Sequence, residues 1–361
     1  MSTTGSTDLR DVQDAESNSA QGQEGHAVFD EPSRSLLTRT HHVLHANPTL
    51  IPAIVLILGV IGFSLLVGGR FFHPFNLSLI IQQVTIIGIV ALAQTLIILT
   101  AGIDLSVGAI MVLSSVVMGR LAVTTGMPIF LAFPLGLLVG MACGLVNGFL
   151  VTLLRLPPFI ATLGTWSVFF ALNLWYSESS TIRSQDVEAA APLLLWLGTP
   201  VVFLGARLTY GSILMILLFV LLWYVLNRTA WGRHVYAVGD DSDAARLSGI
   251  RTKRTLVSVY VLAGLICAVG GWALIGRIGS VSPQAGYTTN LDSITAVVIG
   301  GTSLFGGRGS IIGSLIGALI VGVFRNGLAL AGVDVLWQEF TVGLLIIIAV
   351  AIDQWIRRVS A

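Results

Sequence analysis

Apolar residues fall in long unbroken runs rather than in alternating or strongly one-sided patterns. The runs cover 52–69, 77–100, 103–119, 128–150, 158–176, 209–226, 255–275, 291–303, 309–330 and 334–356. All except 291–303 approach the ~20 residues a helix needs to cross about 30 Å of hydrocarbon. The pattern predicts an all-α polytopic membrane protein with about ten transmembrane helices. Pro192–Ala206 is apolar but ambiguous, and reads as a segment that lies along the surface or re-enters.

Residues 1–46 carry no such run and are rich in Ser, Gln, Asp and Glu, so they read as a disordered acidic tail preceding a membrane domain at 47–361. The His41, His42, His45 cluster in this tail lacks a Cys or acid to complete a metal site and reads as solvated. Charge is scarce elsewhere: the 361 residues hold 19 bases and 18 acids, and residues 1–31 alone take seven of those acids. A net charge of +1 gives no basic face for nucleic acid. Cys143 and Cys267 sit inside apolar runs, which argues against a disulfide framework or metal centre.

The bases set an orientation, because cytoplasmic loops collect Arg and Lys. With the N-terminus inside and 192–206 not crossing, ten spans leave 13 bases inside and five outside, with Arg325 within a span. Both termini are then cytoplasmic, and the basic loop 227–254 lies on the same side.

No nucleophile elbow, phosphate-binding loop or metal-ligand spacing is present, so the chain is not expected to be catalytic. What remains are breaks in apolar runs, which hydrocarbon tolerates only where the backbone is buried in protein or lines a cavity. The first runs from Ala101 to Gly108 and includes Gly102, Asp104 and Gly108. Asp104 is read as capping the following helix from a cytoplasmic turn, since a carboxylate at the bilayer centre would cost about 2.5–3.5 kcal/mol. The second, Ile299–Ser310, has five glycines in twelve residues, among them Gly300, Gly301, Gly306 and Gly307. Both are candidate gating elements. Arg325 and Glu339 lie seven residues either side of Gly332 and are predicted to pair across that hairpin. The polar in-span residues Gln82, Gln83, Gln94, Asn147, Thr162 and Thr165 are candidates for lining a path, with interhelical hydrogen bonding as the alternative.

The loop 227–254 is more than a basic connector. Its run Asp243-Ala244-Ala245-Arg246-Leu247-Ser248-Gly249 reads as a short amphipathic helix closed by glycine, a rigid element suited to docking a soluble partner.

Asp243-Ala244-Ala245-x-x-x-Gly249 resembles the acidic-Ala-Ala-x-x-x-Gly coupling segment of binding-protein-dependent ABC importer permeases, with Asp where the broader pattern has Glu. The segments 102–108, 147–148, 158–164, 232–239 and 300–307 resemble the ribose/xylose/arabinose-type sugar permeases, and within them the fructose type. The resemblance covers residues 50–356. It implies a bacterial inner-membrane permease subunit that works as a pair, here expected to be a homodimer, and carries a monosaccharide inward. It also implies a periplasmic sugar-binding protein and a separate cytoplasmic ABC ATPase that holds the ATP and Mg, so that this chain needs no cofactor. Asp243, Ala244, Ala245, Arg246 and Gly249 would carry the coupling. The rival reading is an ion-coupled secondary transporter of a small polar solute. It normally needs buried carboxylates, whereas Asp104, Asp292, Asp334 and Asp353 all fall near the ends of runs.

Overall fold

A computed structural model describes residues 49–203, 205–286 and 288–360; the acidic tail lies outside them. The elements are, in order, α1 (Leu50–Val67), α2 (Pro74–Leu99), α3 (Val107–Gly119), α4 (Ile129–Thr152), α5 (Pro158–Ser177), α6 (Ser184–Ala190), β1 (Pro200–Phe203) and β2 (Ala206–Thr209). There follow α7 (Tyr210–Arg228), α8 (Ala230–Asp240), α9 (Ser242–Leu247), α10 (Thr252–Ile278), α11 (Thr289–Ile299), α12 (Ile311–Leu330) and α13 (Val335–Ser360).

Eight helices among the described residues are long and apolar enough to cross a membrane: α1, α2, α3 with its continuation to Thr124, α4, α5, α7, α10 and α12. The expectation of about ten thus becomes eight among the described residues. The run 291–303 yields only the eleven-residue α11, because Gly300 and Gly301 end it before it reaches crossing length. In the last run the apolar described stretch is Val335–Leu345. The ambiguous segment 192–206 forms a 3₁₀ turn at Pro192–Gly198 and then enters a small antiparallel hairpin pairing Pro200 with Thr209, the only sheet among the described residues. Trp196 of this segment stacks on Tyr210 at 4.9 Å and on Trp272 at 6.0 Å, which fastens it to α7 and α10.

Helix ends follow local chemistry. Pro74 and Pro158 open α2 and α5 at the first helical position, where the missing N–H is not needed. Gly279 closes α10 in the left-handed conformation. The bundle is layered: α2, α3, α10 and α12 are buried over most of their lengths, whereas α1, α4, α5 and α7 are buried over a third or less and turn apolar faces outward. In hydrocarbon the apolar side chains gain little by meeting each other, so close backbone approach decides which helices pack. The most extensive contact, between α4 and α10, is of this kind. A Cβ on Gly140 would come within 2.6 Å of Ala268 Cβ, and Gly144 and Gly264 press against the carbonyls of Tyr260 and Gly140. α11 and α12 meet in the same way, Gly300 against Gly313 and Gly317 against the Ala296 carbonyl.

Gly140→Leu is therefore expected to destabilise the solubilised protein by about 1–3 kcal/mol, the usual cost of overpacking. Gly164→Leu, where no atom lies within 4 Å of the added Cβ, is expected to leave it unchanged. Thermal unfolding in detergent followed by tryptophan fluorescence compares the two.

Candidate functional site

The first break begins where α2 ends. Thr100 Oγ1 and the Gly102 amide both return to the Ile97 carbonyl, and Ala101 takes a positive φ of 60°. The chain then turns into the protein. Asp104 is 2% exposed, and its Oδ1 accepts from the Ser106 amide and the Ser106 hydroxyl, both at 2.6 Å. Asn147 of α4 donates from Nδ2 to Asp104 Oδ2 at 3.2 Å and to Ser106 Oγ at 2.8 Å, and accepts from Thr165 Oγ1 at 2.7 Å. Thr162 Oγ1 donates to the Ile103 carbonyl at 3.1 Å and accepts from the Leu105 amide at 3.2 Å. The expectation of a solvated capping turn is thus corrected: Asp104 stops short of the first amides of α3 and instead anchors a buried polar knot. Burial pushes its carboxyl above the usual range, and the bonds from Ser106 and Asn147 pull in the opposite direction. Three of the six path candidates, Asn147, Thr162 and Thr165, are committed to this knot.

The knot reaches further. Asn290, at the start of α11, donates to the Leu105 carbonyl at 3.3 Å, and a Cβ on Gly108 would lie 3.4 Å from the Asn290 nitrogen. Gly102 sits against Tyr260, whose hydroxyl would be 3.2 Å from an added Cβ.

The second break meets the first. After α11, Gly301, Gly306, Gly307 and Gly309 all take positive φ, which suits glycine because a side chain there clashes with the backbone. The Gly307 amide donates to the Leu99 carbonyl, the last of α2, at 3.0 Å. A Cβ on Gly306 would be 2.6 Å from the Gly239 carbonyl oxygen and 2.7 Å from the Ala101 nitrogen. Gly239 belongs to α8, in the basic loop. Its own added Cβ would overlap the Leu99 carbonyl and lie 2.8 Å from the Gly307 nitrogen. Tyr236, one turn earlier, donates from its hydroxyl to the Gly309 carbonyl at 3.0 Å. Three segments separated by more than sixty residues thus touch backbone to backbone.

Beyond α8 the chain turns at Asp241, whose Oδ1 accepts from the amides of Asp243 and Ala244 at 2.9 and 3.0 Å and opens α9. Ala245 is buried, while Asp243 and Arg246 form an exposed i,i+3 pair at 3.2 Å and Leu247 is 86% exposed. The Ile250 amide returns to the Ala245 carbonyl at 3.0 Å around Gly249, whose φ is 85°. No atom lies within 4 Å of a Gly249 Cβ, so backbone conformation rather than space demands glycine there.

Arg325 Nη2 lies 3.0 Å from Glu339 Oε1, and also 2.8 Å from Asp292 Oδ1 of α11. Asp292 is 5% exposed. The reading that placed the acids harmlessly at run ends therefore fails for Asp104 and Asp292, because local breaks carry both into the interior. Of the remaining path candidates, Gln82 donates to the Arg207 carbonyl at 2.6 Å and Gln83 is partly buried. Gln94 is fully buried with neither amide atom hydrogen-bonded.

The residues from 76 to 350 match the family described as branched-chain amino acid transport system / permease component. The chain is 59% identical to the fructose import permease protein of Rhizobium meliloti over 335 residues, 93% of each chain. It is 42% identical to the ribose import permease protein of Bacillus subtilis over 79% of this chain and 86% of that one. It is 36% identical to the ribose import permease protein of Escherichia coli K12, over 83% and 92%. No solved structure matches. This chain belongs to the permease family. The matched stretch includes both breaks, the knot, α8 and α9, so the features that set this permease apart from a plain helical bundle all fall within family territory.

Sequence reasoning missed two parts of this arrangement in the permease. Asp292 was discounted by its position in a run, although a carboxylate four residues into a short helix that follows a Gly-containing loop is a signal for an internal partner. Gly239 and Tyr236 mark α8 as compact, but nothing local tells which backbone they touch.

Two outcomes follow for the permease. Asn147→Ala strips a donor from Asp104 and a partner from Thr165, and is expected to lower stability by about 1–3 kcal/mol, the cost of buried groups left unpaired. Gln94→Leu, which removes an unbonded amide, is expected to be neutral or stabilising in the same thermal assay. For the ion cluster, exchanging charges in Arg325→Glu/Glu339→Arg is expected to recover only part of the membrane-inserted amount lost by Arg325→Glu, because Asp292 then faces a like charge. Adding Asp292→Asn to the exchange is expected to recover more. Quantitative immunoblotting of membranes reads both.

Proposed function

We propose that this permease forms the sugar pathway of an ATP-driven importer and is driven through α9. The observation that carries the reading is the pairing of a family match across most of the chain with an exposed, independently capped helix at 242–247. Permease subunits of this family are non-catalytic, and ATP hydrolysis occurs on a separate ABC ATPase subunit. The chain is a multi-pass inner-membrane protein. Both termini and the 227–254 loop face the cytoplasm, as the distribution of Arg and Lys supports. The acidic residues 1–46 form a separate cytoplasmic tail.

Relatives named for fructose and ribose import support a monosaccharide as cargo, delivered by a periplasmic binding protein. Two copies flank the path, since symmetric pairing is the commonest oligomeric arrangement. α9 presents Asp243, Arg246 and Leu247 to the ATPase, while the buried Ala245 and the turn at Gly249 hold it in place. ATP binding can shift the permease between outward and inward access only by its differential affinity for the two states. α9 is the segment through which that difference enters. Asp104 and Asp292 do not favour ion coupling, because each is already held by donors of the protein itself.

Uptake of radiolabelled fructose or ribose into proteoliposomes holding the permease, its ATPase and its binding protein tests the proposal. Uptake is expected to require ATP and to survive dissipation of the proton gradient; loss on dissipation with ATP maintained contradicts it. Gly249→Leu forces a side chain into the left-handed region at roughly 1–2 kcal/mol. It is expected to reduce ATPase co-purification while membrane insertion stays normal.

A further inference from the structure

α8 continues from α7 and packs on it through Gly232, which lies on the Leu226 carbonyl; beyond that it has two attachments to the other membrane helices, and they differ in kind. At its start, Trp231 donates from its indole N–H to Ser258 Oγ of α10 at 2.8 Å, a bond between side chains that rotamer changes can follow. At its end, Gly239 lies directly on the Leu99 carbonyl and the Gly307 amide, and the Gly306 Cα faces the Gly239 carbonyl and the Ala101 nitrogen. Here no side chain intervenes. Main chain packed on main chain transmits a displacement or parts; it does not absorb one. Tyr236 ties the same end to Gly309, and Gly307 also packs on Asp240. Burial raises the Tyr236 phenol above its ordinary value, in the direction that favours the neutral donor form it already has at cellular pH.

We infer that the contact of Gly239 and Tyr236 with the Leu99–Ala101 and Gly306–Gly309 backbones is the route by which movement of α9 reaches both broken segments, with Tyr236 and Gly239 as positioning residues for transport. The inference rests on the reading of α9 as the ATPase contact. From this junction the first break leads through Asp104 and Asn147 into α4, and the second leads through Gly300–Gly313 into α12. One shift of α8 therefore acts on the inner halves of two separate helix pairs together. The competing route runs through Trp231 and Ser258 into α10.

The test compares Tyr236→Phe with Trp231→Phe in the reconstituted complex, reading sugar uptake and binding-protein-stimulated ATP hydrolysis side by side. Tyr236→Phe is expected to keep ATPase co-purification and stimulated hydrolysis but to lower sugar moved per ATP by about fivefold, the factor carried by one net hydrogen bond. Trp231→Phe is expected to keep that ratio. Gly239→Ala should act as Tyr236→Phe does, more strongly. If Tyr236→Phe leaves the ratio unchanged, or if Trp231→Phe lowers it instead, the route is wrong. Failure of the α9 reading itself shows differently: wild-type permease would then neither retain the ATPase nor stimulate it.

Discussion

The contact of Gly239 with the Leu99 carbonyl and the Gly307 amide depends on a constraint that governs the whole chain. A backbone passing through hydrocarbon must satisfy its own polar groups, so it can leave the helix only where protein surrounds it. Two segments between apolar helices leave the helix here, at 100–106 and 300–310, and protein packs against each. The enclosure of the first is the Asp104–Asn147–Thr165 knot; that of the second is the end of α2 on one side and α8 on the other. Because the Gly307 amide donates to the Leu99 carbonyl, rearranging one break without the other loses that bond. α8, resting on that bond, is placed to act on both.

This arrangement accounts for the distribution of glycine. In α4, α10 and α12, and at Gly300 just past α11, glycine lets helices approach where lipid offers no hydrophobic drive between them. At the breaks it serves a different end, supplying positive φ at Gly301, Gly306 and Gly307 and the bare surface on which α8 rests. The charged groups obey the same economy of exposure. Arg325 meets both the buried Asp292 and the exposed Glu339, so that α11, α12 and α13 share one ion cluster and the buried carboxylate has a cationic partner.

Much of this was legible in the sequence, because the signals were strong and local. Uniformly apolar runs gave the helices, the Gly-rich composition of 299–310 gave the second break, and the Asp-Ala-Ala-x-x-x-Gly run gave α9 and its closing turn. The equal spacing of Arg325 and Glu339 about Gly332 pointed to residues that lie within hydrogen-bonding distance. The errors came from depth. Hydropathy assigns a position along the chain, not a position in the bundle, so the inward turn after Ala101 that buries Asp104 left no trace in it. The run 291–303, counted among the ten although short, is stopped at α11 by Gly300 and Gly301. For Asn147, Thr162 and Thr165 the sequence left path and interhelical hydrogen bond both open, because polar side chains in spans serve either, and the fold places all three in hydrogen bonds between segments. The convergence of 99–101, 236–240 and 306–309 was out of reach, since each segment is locally complete without the others.

If α9, α8 and the two breaks move as one body, distances within that body hold while distances to the rest of the permease change. Double electron–electron resonance between spin labels at Ser248 and Phe305, recorded without nucleotide and in an ATP-trapped state of the complex, measures this directly. A Ser248–Phe305 distance that stays the same, while Ser248 moves relative to a label at Thr125, is the result the account predicts. A Ser248–Phe305 distance that changes as much as the Ser248–Thr125 distance would mean that α8 slides across the junction, and would contradict it.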